Sequence, residues 1–316
     1  MNLLIADIGA TWARFASATG ERIQRQEIVP LADFESVEAL VEHAVSELKL
    51  TQVDAACLAV AGPSVRGRIA VVNGSLEFDA ESLSTQLECE ALLVNDFFAL
   101  AHAVPGLVLG EHLQQLGGEP PDPAGVKAVL GPGTGLGMSM LLPEEGGRWR
   151  VLASEGGHAD LAPGSPLELE LSGRLHQRFD HVCWETVLSG QGLVNLYQSV
   201  AELWGVPAQD LDAADISTAG MEVADPMCHQ TLELFCGFLG AAAGNLAVTA
   251  YARGGVYLGG GIVPRISGFL RESPFRRRFE ERGVLTEFVR AIPVYLILDE
   301  QPGLAGAWRY LLKQMP

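Results

Sequence analysis

Basic residues are scarce in this chain. Lysine and arginine number 21 against 39 aspartates and glutamates in 316 residues, a formal net charge of -18. That argues against a nucleic-acid partner, because backbone binding rests on clustered Lys and Arg. The one basic cluster, Arg276-Arg277-Arg278, runs through Phe279 into Glu280-Glu281 and reads as a solvated helix face. Cysteine is sparse too. Cys57, Cys89, Cys183, Cys228 and Cys236 are odd in number, and none share a C-x-x-C spacing. A disulfide framework or a structural zinc site is therefore not expected, and buried free thiols in a reducing cytoplasm are. No basic stretch precedes the first apolar run, so no signal peptide is expected. One long charge-free run exists, LFCGFLGAAAGNLAVTAYA at 234–252, about the length of a membrane span. Its three glycines, its alanines, Asn245 and Thr249 read instead as a buried helix between lobes, with small residues that admit close neighbours. No membrane partner is expected.

Glycine, by contrast, is plentiful, and three glycine-rich turns each follow a short apolar strand. They are LLIADIGATWAR (3–14), AVLGPGTGLGMSM (128–140) and GVYLGGGIVPR (255–265). Glycine backbone approaches phosphate oxygens closely and points N–H groups at them. With Asp7 on the first turn, and Asn95-Asp96 after another apolar strand, the set suggests a two-lobed nucleotide-dependent phosphotransferase.

The element pattern supports two α/β lobes. Strands are expected at 3–6, 13–19 and 22–29, a helix at 36–48, and strands at 57–62 and 92–94. Asp79 is a helix cap for residues through 87. A loop-rich stretch, 105–125, is the candidate passage between lobes. Strand, glycine turn, strand, strand then recurs at 126–131, 138–142 and 148–153. Helices are expected within 167–201, 229–252, 266–282 and 303–313, and a strand at 293–298. Two related lobes facing a central cleft follow, the small one 1–105 plus about 297–316, the large one about 106–296. Ligands in such sheets bind at the carboxyl ends of parallel strands.

Phosphoryl transfer needs donors for phosphates, acidic oxygens for a divalent metal, and an acceptor for the hydroxyl proton. Gly9, Thr11, Gly133, Thr134, Gly135 and Gly137 are candidates for the phosphates. Asp7 is the candidate for a metal, reached through water, since magnesium keeps several waters. Asp96 is the candidate base. A second polar set, Glu155 and His158 in EGGH with Glu185 before VLSGQGLVNLY, suits a polyol, whose hydroxyls each donate and accept. A metal site there is the poorer reading, as neither a cysteine cluster nor H-E-x-x-H accompanies it.

DIGATWAR, LLVNDFFALA, GPGTGLG, SEGGHADLAP, VLSGQGLVNLY, GGVYLGGGIVPR and IPVYLI run nearly end to end. On these strings the chain resembles the bacterial glucokinase family of the hexokinase–actin ATPase superfamily. The cysteine cluster of the zinc-containing sugar kinases and repressors is missing. The resemblance implies that Asp96 takes the proton from the glucose 6-hydroxyl, and that Asn95, Asp96, Glu155, His158 and Glu185 contact the sugar. It implies phosphate loops at the first two glycine turns and an adenosine side at Gly259-Gly260-Gly261. It further implies ATP with Mg2+, lobe closure over glucose or a related hexose, and a homodimer. The family's first loop usually reads Asp-x-Gly-Gly-Thr-Asn. Here Ala10 replaces the second glycine and Trp12 the asparagine. Ala10 is expected to resist a positive φ. After the Gly-Pro turn, Asn73 and Ser75 match or nearly match the family, and Leu76 replaces a tryptophan. Two alternatives stay open: a catalytically weak sugar-binding paralogue, and a kinase for another hexose.

Overall fold

The computed structural model describes residues 1–71, 76–222 and 225–315. Asn73 and Ser75 lie outside the described residues. The chain divides into two compact units, Met1–Leu107 with Asp299–Pro316, and Val108–Leu298.

The first unit begins with β1 (Leu3–Ile8), apolar on both faces apart from Asp7 and so suited to a sheet interior. β2 (Trp12–Ala18) pairs antiparallel with it, and β3 (Ile23–Pro30) antiparallel with β2. α1 (Val37–Glu47) buries Val37, Leu40, Val41 and Ala44 at helical spacing, and Ser36 caps it by accepting from Ala39 N–H. β4 (Ala55–Val60) is buried at every residue. β5 (Arg68–Ala70) and β6 (Glu77–Asp79) form a small ribbon. Asp79 caps α2 (Ala80–Leu87) through Glu81 and Ser82 N–H, as its position predicts. β7 (Glu90–Asn95) runs straight into α3 (Asp96–Ala103). The sheet order is β3-β2-β1-β4-β7, with β1, β4 and β7 parallel. The register puts Ile8, Val60 and Asn95 level at the carboxyl ends. Alternation sends Leu4, Ala6 and Ile8 into the core beneath α1. Leu3 and Ile5 meet Ala99 of α3 and Leu304, Ala307 and Leu311 of the C-terminal helix, Pro302–Gln314.

The second unit contains β8 (Leu113–Gly117), β9 (Lys127–Pro132), β10 (Leu136–Pro143), β11 (Trp149–Ser154), α4 (Pro166–Leu175) and α5 (Gly190–Trp204). α6 (Ala213–Met221), α7 (Pro226–Ala250), β12 (Val256–Leu258), α8 (Ser267–Glu272), α9 (Phe275–Glu280), α10 (Thr286–Ala291) and β13 (Val294–Ile297) complete it. Its sheet order is β11-β10-β9-β12-β13-β8. β10 pairs antiparallel with the glycine-turn strand β9 and β11 antiparallel with β10, while β12 and β13 run parallel to β9. Five strands thus repeat the connectivity of the first unit, with β8 added antiparallel at the edge. β8 lies inside the stretch read as loop, because LQQLG has no β-branched or aromatic residue to signal a strand.

Two expectations are corrected. The charge-free run is a buried helix, α7, but it belongs inside the second unit, packed by α5, α6 and α9. It is long and apolar enough to cross a membrane, yet 72% of its most apolar window is buried inside the protein. Its glycines serve close packing, since a Cβ on Gly244 would come within 2.5 Å of the Phe279 carbonyl. The second correction concerns 266–282, which breaks into α8 and α9. Pro274 forces Ser273 out of the helical region, to ψ 173°.

Candidate active site

In the first unit, β7 delivers Asn95 and Asp96 to the start of α3. Asn95 is the helix cap. Its Oδ1 accepts from Phe97 N–H at 2.9 Å and Phe98 N–H at 3.0 Å. Its Nδ2 donates to Gly62 O at 3.0 Å and to Asp96 Oδ1 at 2.9 Å. Phe97 N–H is also 2.9 Å from that Oδ1. The Asn95 amide is therefore engaged on both atoms, and it orients the half-buried Asp96 carboxylate. Gly62 makes this possible, because a Cβ there would strike the Ala70 carbonyl.

Asp7 lies one strand-step beyond Ile5 on the face covered by the C-terminal helix. A Cβ on Gly303, in that helix's first turn, would be 2.5 Å from Asp7 Oδ2. Gly303, which the sequence reading missed, thus leaves room for the carboxylate. No described residue donates a hydrogen bond to the Asp7 side chain. Burial pushes its carboxyl above the ordinary value of 3.8, and the Arg14 guanidinium pulls it partly back. A half-buried carboxylate without a donor, at a strand end, suits a hydrated divalent cation. The N–H groups left open in this turn belong to the glycine's neighbours. Gly9 N–H closes its turn on Trp12 O at 3.0 Å. The neighbouring Ala10 and Thr11 N–H groups have no backbone partner among the described residues. Ala10 is not at positive φ, so the methyl expected to strain this turn does not. Trp12 is 47% exposed.

In the second unit, the 133–135 turn joins β9 to β10. Gly133 N–H donates to Gly135 O at 2.8 Å, and Gly133 O accepts from Gly190 N–H, at the start of α5, at 2.8 Å. Thr134 and Gly135 N–H have no backbone partner among the described residues. The third glycine run packs directly on the end of β9. Gly260 has φ +82°, and a Cβ there would strike the Pro132 carbonyl. Gly259 N–H donates to Leu130 O at 2.9 Å, and Gly261 has open space around it.

Glu185 joins this turn to the polyol-type set. It sits in a short helical turn, Trp184–Thr186, pinned by buried Trp184 and Val187 on either side. Its Oε2 accepts from Leu136 N–H at 2.7 Å, and Gly135 has no Cβ because one would lie 2.5 Å from that oxygen. Its Oε1 is 3.9 Å from His158 Nε2. The other ring nitrogen of His158 is 3.9 Å from Cys183 Sγ. Gly157 holds the EGGH turn against β10, where a Cβ would strike the Leu136 carbonyl. Glu155 is exposed, and its carboxylate has no partner among the described residues. Among those residues no group of three His, Cys, Asp or Glu could hold a metal.

The 133–135 turn, Glu185 and His158 therefore form one connected structure, and Asn95 and Asp96 another. Comparison with known proteins adds a family. The family model described as Glucokinase matches residues 4–314. The chain is 42% identical over 311 residues to the glucokinase of Chromobacterium violaceum, covering 98% of this chain and 88% of that one. It is 40% identical over 306 residues to that of Neisseria meningitidis, covering 96% and 93%. The crystal structure of a glucokinase from an Antarctic psychrotroph matches with TM-score 0.85 at 36% identity, covering 99% of both chains.

Proposed function

The chain belongs to the glucokinase family, and from that premise we propose how its residues carry out ATP-dependent phosphorylation of glucose. Its mixed sheets are those of the actin- and hexokinase-like sugar kinases. In our reading Asp96 accepts the proton of the glucose 6-hydroxyl as that oxygen attacks the terminal phosphorus of ATP, whose bond to the bridging oxygen breaks to release ADP. Asn95 acts by aiming Asp96 rather than by spending its amide on sugar. Glu185, His158 and Glu155 hold sugar hydroxyls, the carboxylates accepting and the imidazole accepting or donating. The N–H groups of Thr134 and Gly135, with those of Ala10 and Thr11, cradle phosphates in turns shaped by Gly133 and Gly9. Gly259, Gly260 and Gly261 lie on the adenosine side. Asp7 would hold Mg2+ through water. That ion, when bound, supplies positive charge to the transferring phosphates. The reading extends to a cytoplasmic homodimer. Five free thiols suit a reducing compartment.

The observation that carries this assignment is the Glu185 carboxylate, bonded to the residue after the phosphate turn and facing His158. The test is ADP release from Mg-ATP with glucose, beside mannose, fructose and N-acetylglucosamine. Asp96→Asn keeps the shape of the cap and removes the base. Its kcat falls about 10²–10⁴-fold, the usual worth of a positioned base, while calorimetric glucose affinity stays close to that of the parent. An unchanged kcat removes Asp96 from the role. Turnover absent with every sugar, beside intact glucose binding, would select the sensing paralogue.

A further inference from the structure

Glu185 is aimed by groups that make no contact with either ligand in the reading above. The carbonyl of Glu185 accepts from Ser189 Oγ at 3.0 Å, and the carbonyl of Thr186 accepts from Asn195 Nδ2 at 2.9 Å. Asn195 lies in the second turn of α5, only 5% exposed. Its Oδ1 accepts from Gln191 Nε2 at 3.2 Å, so the amide orientation is set from the helix. Thr186 Oγ1 accepts from Cys183 N–H at 3.1 Å, closing the turn from its other end. Arg178 anchors this stretch of α5 by donating to Asn195 O at 3.0 Å and to Ser199 Oγ at 2.8 Å. A polar side chain buried to this degree costs stability unless paired. A residue such as leucine could fill the space without that cost, but it could not hold a carbonyl.

We propose that Asn195 is a positioning residue for the reaction. By gripping the Thr186 carbonyl it fixes the turn that carries Glu185, and so keeps one carboxylate oxygen on the phosphate turn and the other beside His158. The inference rests on Glu185 being a sugar ligand. Loss of the grip lets the turn relax, and the carboxylate leaves the geometry in which it meets both groups.

The test is a double-mutant cycle on calorimetric glucose affinity, with Asn195→Asp and Glu185→Ala, each alone and together. Asn195→Asp keeps the acceptor for Gln191 and removes the donor to Thr186. Alone it weakens glucose on the order of tenfold, equivalent to one hydrogen bond of about 1.4 kcal/mol. It raises the glucose KM by a similar factor and leaves kcat at saturating glucose within about threefold, a split that general destabilisation would not produce. In the Glu185→Ala background it changes glucose affinity less than twofold, because the group it positions is gone. Equal weakening in both backgrounds overturns the proposal. So does a lowered Tm with unchanged glucose affinity, which makes Asn195 a purely structural residue. If Glu185→Ala alone leaves glucose affinity intact, the sugar-ligand reading fails first and the proposal falls with it. Asn195→Ser shortens the side chain without adding charge and carries the same expectations, should the aspartate variant not fold.

Discussion

Replacing Ala10 with glycine restores the Gly-Gly pair usual in the first phosphate loop of this family. If the methyl kept phosphate at a distance, the substitution would raise activity. The geometry of the turn leads to the opposite expectation. Ala10 occupies ordinary negative φ, so glycine's freedom is not needed there. Its side chain is half-buried and packs against the core beneath α1. Glycine forfeits part of a methyl contact worth at most about 0.8 kcal/mol. It also loosens the unfolded chain by about 0.4–1 kcal/mol. Together these come to about 1 kcal/mol, or a fall in Tm of about 1–2 °C. The assay is ADP release at varied ATP and glucose, with calorimetric unfolding of the same protein. The expected result is a lower Tm with kcat/KM for ATP within about twofold of the parent. Adding Trp12→Asn, at a residue already largely exposed, brings no gain either. A tenfold rise in kcat/KM for ATP corresponds to about 1.4 kcal/mol of recovered transition-state stabilisation. That outcome would refute the reasoning and favour a weakened paralogue.

The half-buried Asp7 carboxyl is held above its ordinary pKa, so stability falls as the pH rises from the ordinary value through the raised one. With Mg2+ chelated, Asp7→Asn therefore raises Tm at pH 7, and the gain vanishes below the ordinary value near pH 4 as both side chains become neutral. Catalysis is lost in the same variant, and a Tm that drops at pH 7 would contradict the argument. Gly135→Ala places a methyl 2.5 Å from Glu185 Oε2 and displaces a charged hydrogen bond worth about 1.5–3 kcal/mol; the glucose KM rises at least about tenfold, and an unchanged KM would detach Glu185 from the sugar. Gly260→Ala combines positive φ with a backbone clash and lowers Tm by more than about 3 °C, from at least about 2 kcal/mol, whereas Gly261→Ala, in open space, leaves Tm unchanged. Equal effects at the two glycines, read by thermal unfolding, would contradict the packing of the third glycine run on β9.

What the sequence disclosed of this architecture follows a physical rule. Segments with strong local signals were legible. The apolar runs of β1, β4 and β9 announce interior strands, Asp79 announces its helix, and the i, i+3, i+4 spacing announces α1. Elements stabilised mainly by their neighbours were not. β8 exists because β13 offers it a ladder, and α6 buries only Ile216 and Gly220. The break at Pro274 was written in the sequence but was outweighed by the helical charge pattern around it.

The same division separates the types of site residue from their duties. Carboxylates, imidazole and glycine turns stand out by composition, so Asp7, Asp96, Glu185 and His158 could be picked from the string. Their duties depend on partners distant in sequence. Leu136 N–H reaches Glu185 across 49 positions, and Gly62 O reaches Asn95 across 33. Asn95 shows the consequence. The family resemblance makes it a sugar ligand beside the proposed base, but with both amide atoms engaged our reading gives it the task of holding Asp96 still. Asn95→Ala should therefore act on Asp96 more than on glucose. It removes the cap, worth about 1 kcal/mol of stability, and frees the carboxylate. Its kcat should fall more than glucose affinity does, in steady-state kinetics set beside calorimetry. A loss confined to glucose affinity, with kcat intact, would return Asn95 to the sugar.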